Sequence, residues 1–309
     1  MKEKILIIGG SGYLGTNLLN DLSIDGSYEL FLLRFRNKNP DPLPYQYSYL
    51  DIDDYDSIQK IRTNIDYVIH LAGKSSEKLN ENPLRNFSES LNTNLSLSKI
   101  ISNSNIKKLI YISSVHVYGG SLTGIVDESK IARPDTNYGL AHLIAEKIFL
   151  SCNSSLTDVF ILRVSNVFGS SVNFSKTLWN LIGNNFAKQV IESGSIEISS
   201  RTDFKRDFLP ISNFLQAIRN IIENRNIRGS IYNIGMGKTM SIIDLAKVFS
   251  ERGGVLFNKM VPLETPEMSS FDVEDFTYNV NRFSQLANFN ISNIESEVDR
   301  LLLFTKNRN

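Results

Sequence analysis

The chain has 309 residues, of which 41% are hydrophobic, and its 33 basic residues equal its 33 acidic residues. That length allows two lobes with sizeable cores. The zero net charge excludes a broad field that would attract nucleic acid or an anionic membrane, so a phosphate-bearing ligand must be bound locally. One cysteine and three histidines exclude an intramolecular disulfide and a self-contained structural zinc site. We therefore expect a soluble cytoplasmic protein without a metal.

Short apolar runs alternate with longer amphipathic segments through the first half of the chain. Each run is followed by glycine, serine or asparagine, and none approaches the roughly 18 residues that a membrane-spanning helix needs. Such alternation predicts an α/β fold in which helices cover a parallel sheet and ligands bind at the carboxyl ends of the strands. The runs are Ile5–Ile8, Leu30–Leu33, Tyr67–Leu71, Leu109–Ile112 and Val159–Leu162.

Beyond Gly169 the pattern loosens into a mixed region. A helix is predicted over Phe214–Glu223 and a strand over Ser230–Ile234. We therefore expect a smaller α/β lobe that is interleaved with the sheet domain. Its predicted extent is about 169–206 plus 237–309, with 1–168 plus about 207–236 in the sheet domain.

A glycine-rich loop follows the first predicted strand and precedes a helical segment, Thr16–Leu22. It reads Gly9-Gly10-Ser11-Gly12-Tyr13-Leu14-Gly15. Glycine permits a tight turn and brings backbone N–H groups near a pyrophosphate at the start of a helix. Strand, glycine spacing and helix together indicate a dinucleotide site on a doubly wound Rossmann sheet.

The residues after the second and third runs bear on which dinucleotide is bound. Arg34 and Arg36 stand where a carboxylate would bind an adenosine 2′-hydroxyl, and arginine suits a 2′-phosphate, which favours NADP over NAD. Both arginines are alternatively ordinary solvated residues at a strand end. Asp51, after Tyr47–Leu50, is a candidate acceptor for the adenine amino group or a simple loop aspartate.

Further motifs extend along nearly the whole chain, and with the glycine loop they resemble the extended short-chain dehydrogenase/reductase family of nucleotide-sugar epimerases, dehydratases and reductases. The resemblance implies that a nicotinamide cofactor contacts Gly9, Gly12, Tyr13, Leu14, Gly15, Asp51, Ile52, Leu71, Ala72 and Gly73. The motifs are Asp51-Ile52-Asp53, His70-Leu71-Ala72-Gly73, Ser113-Ser114-x-x-Val117-Tyr118-Gly119, Tyr138, Leu162-Arg163-x-x-Asn166-Val167-x-Gly169, Arg206-Asp207-Phe208 and Tyr232-Asn233-Ile234-Gly235.

Ser114 and Tyr138 match the family's catalytic serine and tyrosine, so Tyr138 is the predicted acid/base. A phenol with a pKa near 10 is a poor base at neutral pH and needs a nearby positive charge. The family supplies a lysine four residues later, but this chain has His142. Either His142, protonated or as a neutral donor, contacts the nicotinamide ribose and lowers the tyrosine pKa less, or catalysis has decayed and the scaffold remains.

Asn94 resembles the family's asparagine, whose backbone supports a proton-relay water near that lysine; an ordinary helix-surface asparagine is the alternative. For the substrate, the resemblance assigns Asn166 and Arg206 to the nucleotide diphosphate, and places Ser114 and Val115 beside the sugar. The competing interpretation of Arg206 is a surface ion pair with Asp207.

Val115-His116 stands where the family's 4,6-dehydratases carry an Asp-Glu pair, which disfavours dehydration. The expected reaction is therefore 4-epimerisation of a nucleotide-diphosphate sugar or reduction of a keto-sugar. The rival hypothesis is a cofactor-binding regulator or scaffold with weakened or lost catalysis. Helices after Asn92 and Tyr138 commonly form a dimer bundle in the family, so a homodimer is expected.

Overall fold

The computed structural model describes residues 2–24, 26–34, 45–120, 122–172, 176–198, 205–265, 275–287, 289, 291 and 293–308. The chain divides into two compact units that are interleaved along the sequence. Unit 1 comprises Met1–Ser121, Lys130–Val164 and Ile221–Tyr232, and unit 2 comprises Leu122–Ser129, Ser165–Asn220 and Asn233–Asn309.

The strands are short and most alternate with helices, as the sequence pattern predicts. In chain order they are β1 Glu3–Ile8, β2 Tyr28–Arg34, β3 Ser48–Asp51, β4 Tyr67–His70, β5 Lys108–Ser114, β6 Gly124–Val126, β7 Asp158–Val164, β8 Asn166–Phe168, β9 Ile196–Glu197, β10 Lys205–Pro210, β11 Ile231–Ile234, β12 Thr239–Ser241, β13 Leu263–Glu264 and β14 Phe276–Tyr278.

The helices are α1 Tyr13–Ser23, α2 Tyr55–Asn64, α3 Ser76–Glu81, α4 Pro83–Ser102, α5 Asn137–Leu150, α6 Ile182–Glu192, α7 Ile211–Glu223, α8 Ile242–Phe257, α9 Asn281–Ala287 and α10 Ile294–Lys306, with 3₁₀ turns at Val115–Tyr118 and Lys176–Asn180. Among the helices of the described ranges, none combines the length and the apolar character needed to cross a bilayer.

Seven strands form one sheet in the order β11-β7-β5-β4-β1-β2-β3, and every neighbouring pair from β7 to β3 is parallel. The chain runs outward from β1 to β3 and then returns past β1 to β4, so the strand order reverses between β1 and β4. This is the doubly wound Rossmann arrangement, and it confirms the predicted fold class. A crevice for a ligand is expected at the carboxyl ends of β1 and β4, where the order reverses.

Burial explains why the apolar runs became central strands. Ile5, Ile7 and Ile8 of β1 are completely buried, as continuous apolar runs in a helix-covered parallel sheet require. Four of the five strands are longer than the apolar runs because polar ends also join the ladder, whereas β4 ends at His70, one residue before the end of its run. Lys108 and Ser114, for example, pair with β7 in register. Ser114 is thereby held at the carboxyl end of the sheet.

Unit 2 has a separate core. Phe168, Phe186 and Phe249 pack with apolar residues of α6, α8 and α10. Strands β8, β10 and β12 form a small sheet in which β10 runs parallel to β8 and antiparallel to β12. That sheet fixes the positions of Asn166 and Arg206. In the part of the chain that the structure describes, no group of three or more His, Cys, Asp and Glu side chains is placed to hold a metal ion.

Candidate active site

The glycine loop after β1 has a shape that only glycine allows at two positions. Gly9 has a φ of 88°, and a Cβ atom there would lie 2.7 Å from the backbone nitrogen of Ala72. A Cβ atom on Gly15 would lie 2.3 Å from the carbonyl oxygen of Gly9. Gly12 is the N-cap of α1 and makes no side-chain cap bond, so backbone donors of the first helical turn face the loop without competition from a cap. This cradle fits a dinucleotide pyrophosphate.

The structure brings two predicted cofactor residues, Arg34 and Asp51, together as an ion pair. They face each other across β2 and β3, with 3.2 Å between Arg34 Nη2 and Asp51 Oδ2. Asp51 Oδ1 also accepts a hydrogen bond from the backbone of Asp53. The charge of Arg34 is therefore largely compensated within the protein. Arg36, the other arginine of the NADP prediction, lies outside the described residues.

Ser114 and Tyr138 meet beside the carboxyl end of β5. Tyr138 lies in the first turn of α5, which Thr136 caps, and the Ser114 hydroxyl is near enough to the Tyr138 phenol to affect its pKa. The helix approaches so closely that a Cβ atom on Gly139 would lie 2.3 Å from the carbonyl oxygen of His116. Burial raises the pKa of Tyr138, and the interaction with Ser114 opposes that rise. Tyr138 is therefore a protonated phenol at neutral pH.

His142 lies one helical turn beyond Tyr138, and their ring centroids are 4.6 Å apart. Its Nδ1 atom lies 2.9 Å from the hydroxyl oxygen of Tyr111, and its Cε1 atom approaches Gly73. Burial, together with smaller contributions from the nearby His116 and His70, lowers the pKa of His142 to about 4. Of the two forms considered for this residue, the structure favours the neutral ring. His142 therefore does not supply the charge that a lysine would.

Asn94 and His70 form a second polar pair, with 3.3 Å between Asn94 Oδ1 and His70 Nε2. Burial lowers the pKa of His70 to about 4, and the hydrogen bond that His70 donates to Asn94 opposes that shift. His70 Nδ1 is buried and has no partner among the described residues. The side chain of Asn94 is thus engaged in a hydrogen bond with His70. Support of a proton-relay water by the Asn94 backbone stays a prediction.

A buried ion pair that sequence reasoning missed supports this region. Arg163 of β7 binds Glu146 of α5 through two hydrogen bonds of 3.0 and 2.7 Å, and Ser113 donates to the same carboxylate. Glu146 is completely buried. The regular spacing of Tyr138, His142 and Glu146 every four residues could have indicated one helix face turned toward the sheet. No comparable spacing along the chain would have indicated that Tyr111 contacts His142.

Two predicted substrate residues lie in unit 2. Asn166 donates a hydrogen bond of 2.9 Å to the carbonyl oxygen of Asp207. The Arg206 side chain is half-buried and makes no hydrogen bond or ion pair within the described ranges, and burial lowers its pKa. Its guanidinium is therefore available to an anion. Val115, in unit 1, is buried at the start of the 3₁₀ turn that follows Ser114.

Asp207 is not the surface partner of Arg206 that the alternative interpretation required. It is 1% exposed and accepts hydrogen bonds from Ser165 Oγ at 2.5 Å and from the backbone of Met236 at 2.9 Å. Successive residues of a strand point to opposite faces, which separates the two side chains. Burial raises the pKa of Asp207 to about 6, against the lowering effect of its hydrogen bonds.

Comparison with known proteins places these features in a family context. The NAD dependent epimerase/dehydratase family matches residues 5–235. The UDP-glucose 4-epimerase of Vibrio cholerae is 27% identical over 257 residues, which span 80% of this chain and 75% of that protein.

Solved structures share the fold at low identity. A UDP-N-acetylglucosamine 4-epimerase from Methanobrevibacter ruminantium M1, in complex with UDP-N-acetylmuramic acid, has a TM-score of 0.82 at 22% identity and covers 100% of both chains. RMD from Pseudomonas aeruginosa, complexed with NADPH, has a TM-score of 0.76 at 20% identity, again over 100% of both chains.

Proposed function

Because this chain belongs to the NAD dependent epimerase/dehydratase family, we propose that it is an enzyme that transfers hydride at a carbinol or carbonyl carbon of a nucleotide-diphosphate sugar, at C4. The observation that carries the proposal is the proximity of Ser114 and Tyr138, two positions 24 residues apart that come together at the end of β5, where Ser114 lowers the pKa of the buried phenol. A non-catalytic binder has no need for that pair.

The side chains divide the work as follows. Ser114 polarises the sugar oxygen, and Tyr138 exchanges a proton with it. The nicotinamide ring, when bound, accepts or supplies the hydride. Since burial keeps Tyr138 protonated, its phenol is suited to donate a proton to a carbonyl oxygen and less suited to remove one from a carbinol. This property favours keto-sugar reduction, with 4-epimerisation as the second form of the same chemistry.

For the substrate, we propose that Arg206 and Asn166 of unit 2 bind the diphosphate. A guanidinium presents paired donors that match phosphate oxygens. Arg206 has no partner within the described residues, although more than half of it is removed from solvent. An unpaired and partly desolvated cation is stabilised when an anion binds it. Names of relatives support a nucleotide-sugar substrate and leave the base and the sugar open.

The proposed cofactor is NADP, with NAD as the alternative that the family description names. Because Asp51 already pairs with Arg34, the preference for a 2′-phosphate rests on Arg36. Titration of the protein with NADPH and NADH separately tests this choice. Tighter binding of NADH would contradict it.

We also propose a cytoplasmic homodimer that assembles through α4 and α5. Leu84, Leu91 and Leu95 of α4 and Leu140 of α5 are exposed apolar side chains. A cavity of about 200 Å³ lies between the same helices, lined by Phe87, Leu91, Ala141 and Ile144 among others. Covering such a surface favours self-association. Light scattering of the purified protein measures the assembly, and cell fractionation tests the location.

The second candidate function is a cofactor-binding regulator. One observation favours it: His142 is neutral and so does not stabilise a Tyr138 phenolate as a cation at this position would. A regulator would bind NADP(H) tightly without converting any sugar.

One experiment separates the two functions. The protein with bound cofactor is offered UDP-, GDP-, dTDP- and CDP-sugars and their 4-keto derivatives, while the absorbance of the reduced nicotinamide and the sugar products are followed. A reductase consumes reduced cofactor in proportion to product, whereas an epimerase forms a new sugar without net change in absorbance. Cofactor binding without product from any sugar would establish the regulator instead.

A further inference from the structure

The polar contacts of His142 differ for its two ring nitrogens. Nδ1 lies 2.9 Å from the hydroxyl oxygen of Tyr111, whereas Nε2 has no hydrogen-bond partner among the described residues. The ring of Tyr138 packs against that of His142 at a centroid distance of 4.6 Å. On another side, a Cβ atom on Gly73 would lie 3.9 Å from His142 Cε1. Nε2 is therefore the nitrogen that remains for a ligand.

The Tyr111 hydroxyl determines which nitrogen of His142 carries the proton. Tyr111 is 3% exposed, and in the described part of the chain its hydroxyl has no hydrogen-bond partner except His142 Nδ1. If Nδ1 carried a hydrogen and donated to Tyr111, the phenolic hydrogen would be buried without an acceptor. An unsatisfied buried donor costs about 1–3 kcal/mol. The phenol therefore donates, and Nδ1 accepts.

We propose that Tyr111 is a positioning residue that fixes His142 in the tautomer with its proton on Nε2, so that His142 offers the nicotinamide ribose an uncharged N–H donor. The acceptor is a hydroxyl oxygen of that ribose, which can accept a hydrogen bond from an uncharged N–H group. The identity of that acceptor rests on the proposed function, but the tautomer does not.

The surroundings of the ring are consistent with a single fixed proton. His116 and His70 are near enough to lower the pKa of His142, and the rings of Tyr138 and Tyr111 pack against it. The Glu146 carboxylate helps to raise the pKa of Tyr111. Burial keeps His142 neutral and raises the pKa of Tyr111 well above its ordinary value. Neither partner of the bond therefore changes its protonation between pH 5 and pH 8, as judged from these shifts. The donor on Nε2 is present throughout that range.

Nitrogen NMR of the cofactor-free protein tests the tautomer directly. The chain has three histidines, so His142→Gln identifies the signals of His142. We expect a protonated Nε2 and an unprotonated Nδ1 in the wild type, and a mixture of tautomers in Tyr111→Phe. Tyr67→Phe is the matched control, because it removes another buried phenol that bonds Glu3 at 2.7 Å in the same unit. A proton on Nδ1 in the wild type, or unchanged His142 signals in Tyr111→Phe, would overturn the inference.

A double-mutant cycle on NADPH and NADH affinity tests whether Tyr111 acts through His142. Tyr111→Phe should weaken binding about 2- to 10-fold, the effect of losing one oriented hydrogen bond. In a His142→Gln background the same substitution should have no effect. Equal losses in both backgrounds would show a purely structural role for Tyr111 and overturn the proposal. If neither nucleotide binds the wild type, the proposed function fails, while the NMR result still decides the tautomer.

Discussion

Both units bury ionisable groups, but the effect of burial on charge differs between them. In unit 1, burial lowers the pKa of His70 and His142 to about 4, and both rings are neutral at physiological pH. In unit 2, burial raises the pKa of Asp207 only to about 6, because Ser165 and backbone N–H groups of residues 236–238 stabilise its charge. Asp207 therefore remains mostly charged at neutral pH. Hydrogen bonds to the charged form decide which buried group keeps its charge.

This contrast also gives the two units opposite responses to acid. Burial favours the uncharged form of an ionisable group. As the pH falls, a fold that keeps a histidine neutral is destabilised, because the unfolded state binds the proton first. A fold that buries a carboxylate is stabilised, because its folded form binds the proton first. Unit 1 should lose stability as the pH falls, and unit 2 should gain it.

The largest expected effect is that of Tyr138→Phe on turnover. Removing the hydroxyl removes the proton donor but keeps the ring beside His142, so turnover should fall by about 10²- to 10⁴-fold. Cofactor affinity should stay near that of the wild type, and titration with NADPH provides this control. Equal turnover by the variant would show that Tyr138 is not the acid/base.

The next effect is the acid sensitivity that His70 gives to unit 1. Because its folded pKa is about 4 and its ordinary value is 6.5, the unfolded state takes up the proton first as the pH falls. The contribution of His70 to stability is complete above pH 6.5 and declines toward pH 4, by roughly 3–4 kcal/mol for a shift from 6.5 to about 4.

Hydrogen exchange of the β4 and β5 amides, corrected for the intrinsic pH dependence of exchange, measures this loss. His70→Gln should remove about half of the slope, because His142 has the same folded pKa of about 4 and supplies a similar share. His116→Gln is the control, because His116 is exposed and its replacement should leave the slope unchanged. An identical slope in His70→Gln would contradict the assignment.

Asp207 should produce a smaller effect of opposite sign in unit 2. Its pKa rises from 3.8 to about 6 on folding, so its contribution is complete below pH 3.8 and is lost as the pH rises through 6. The loss is about 3 kcal/mol for roughly two pKa units. Asp207→Asn should therefore gain stability relative to the wild type between pH 4 and pH 7.

Fluorescence of Trp179, the single tryptophan of the chain, reports unfolding of unit 2 in denaturant. Glu192→Gln, a change at a surface carboxylate of the same unit, provides the control. A constant difference between wild type and Asp207→Asn across this pH range would show that Asp207 does not titrate as the structure indicates.

The smallest predicted effect is that of His142→Lys on the pH profile of kcat/KM. A cation at this position should stabilise the Tyr138 phenolate and move its limb of the profile about 1–2 units toward lower pH. His142→Gln carries no charge and should leave the limb in place. A loss of cofactor binding in His142→Lys would show instead that the pocket fits only the planar ring.

Sequence patterns could predict the parts of the site that depend on neighbours along the chain. The glycine loop, the helix that follows it, and the common face of Tyr138 and His142 all arise from spacing within one or two turns. The sequence could not reveal that Asp51 pairs with Arg34, since their contact depends on which strands are adjacent in the sheet. The competing interpretation of Arg206, a surface ion pair with Asp207, was wrong because Asp207 is buried among hydrogen-bond partners from elsewhere in the chain.

By itself, then, the sequence determined the doubly wound sheet, the dinucleotide loop and the placement of Tyr138 and His142 on one helix. Hydrophobic periodicity and glycine positions specify such features because they depend on residues close together in the chain. Only the tertiary structure decided the charge of these groups. Tyr111 and His142 are 31 residues apart, and Ser165 and Asp207 are 42 residues apart. Protonation depends on burial and on such distant hydrogen-bond partners, which the fold alone brings together.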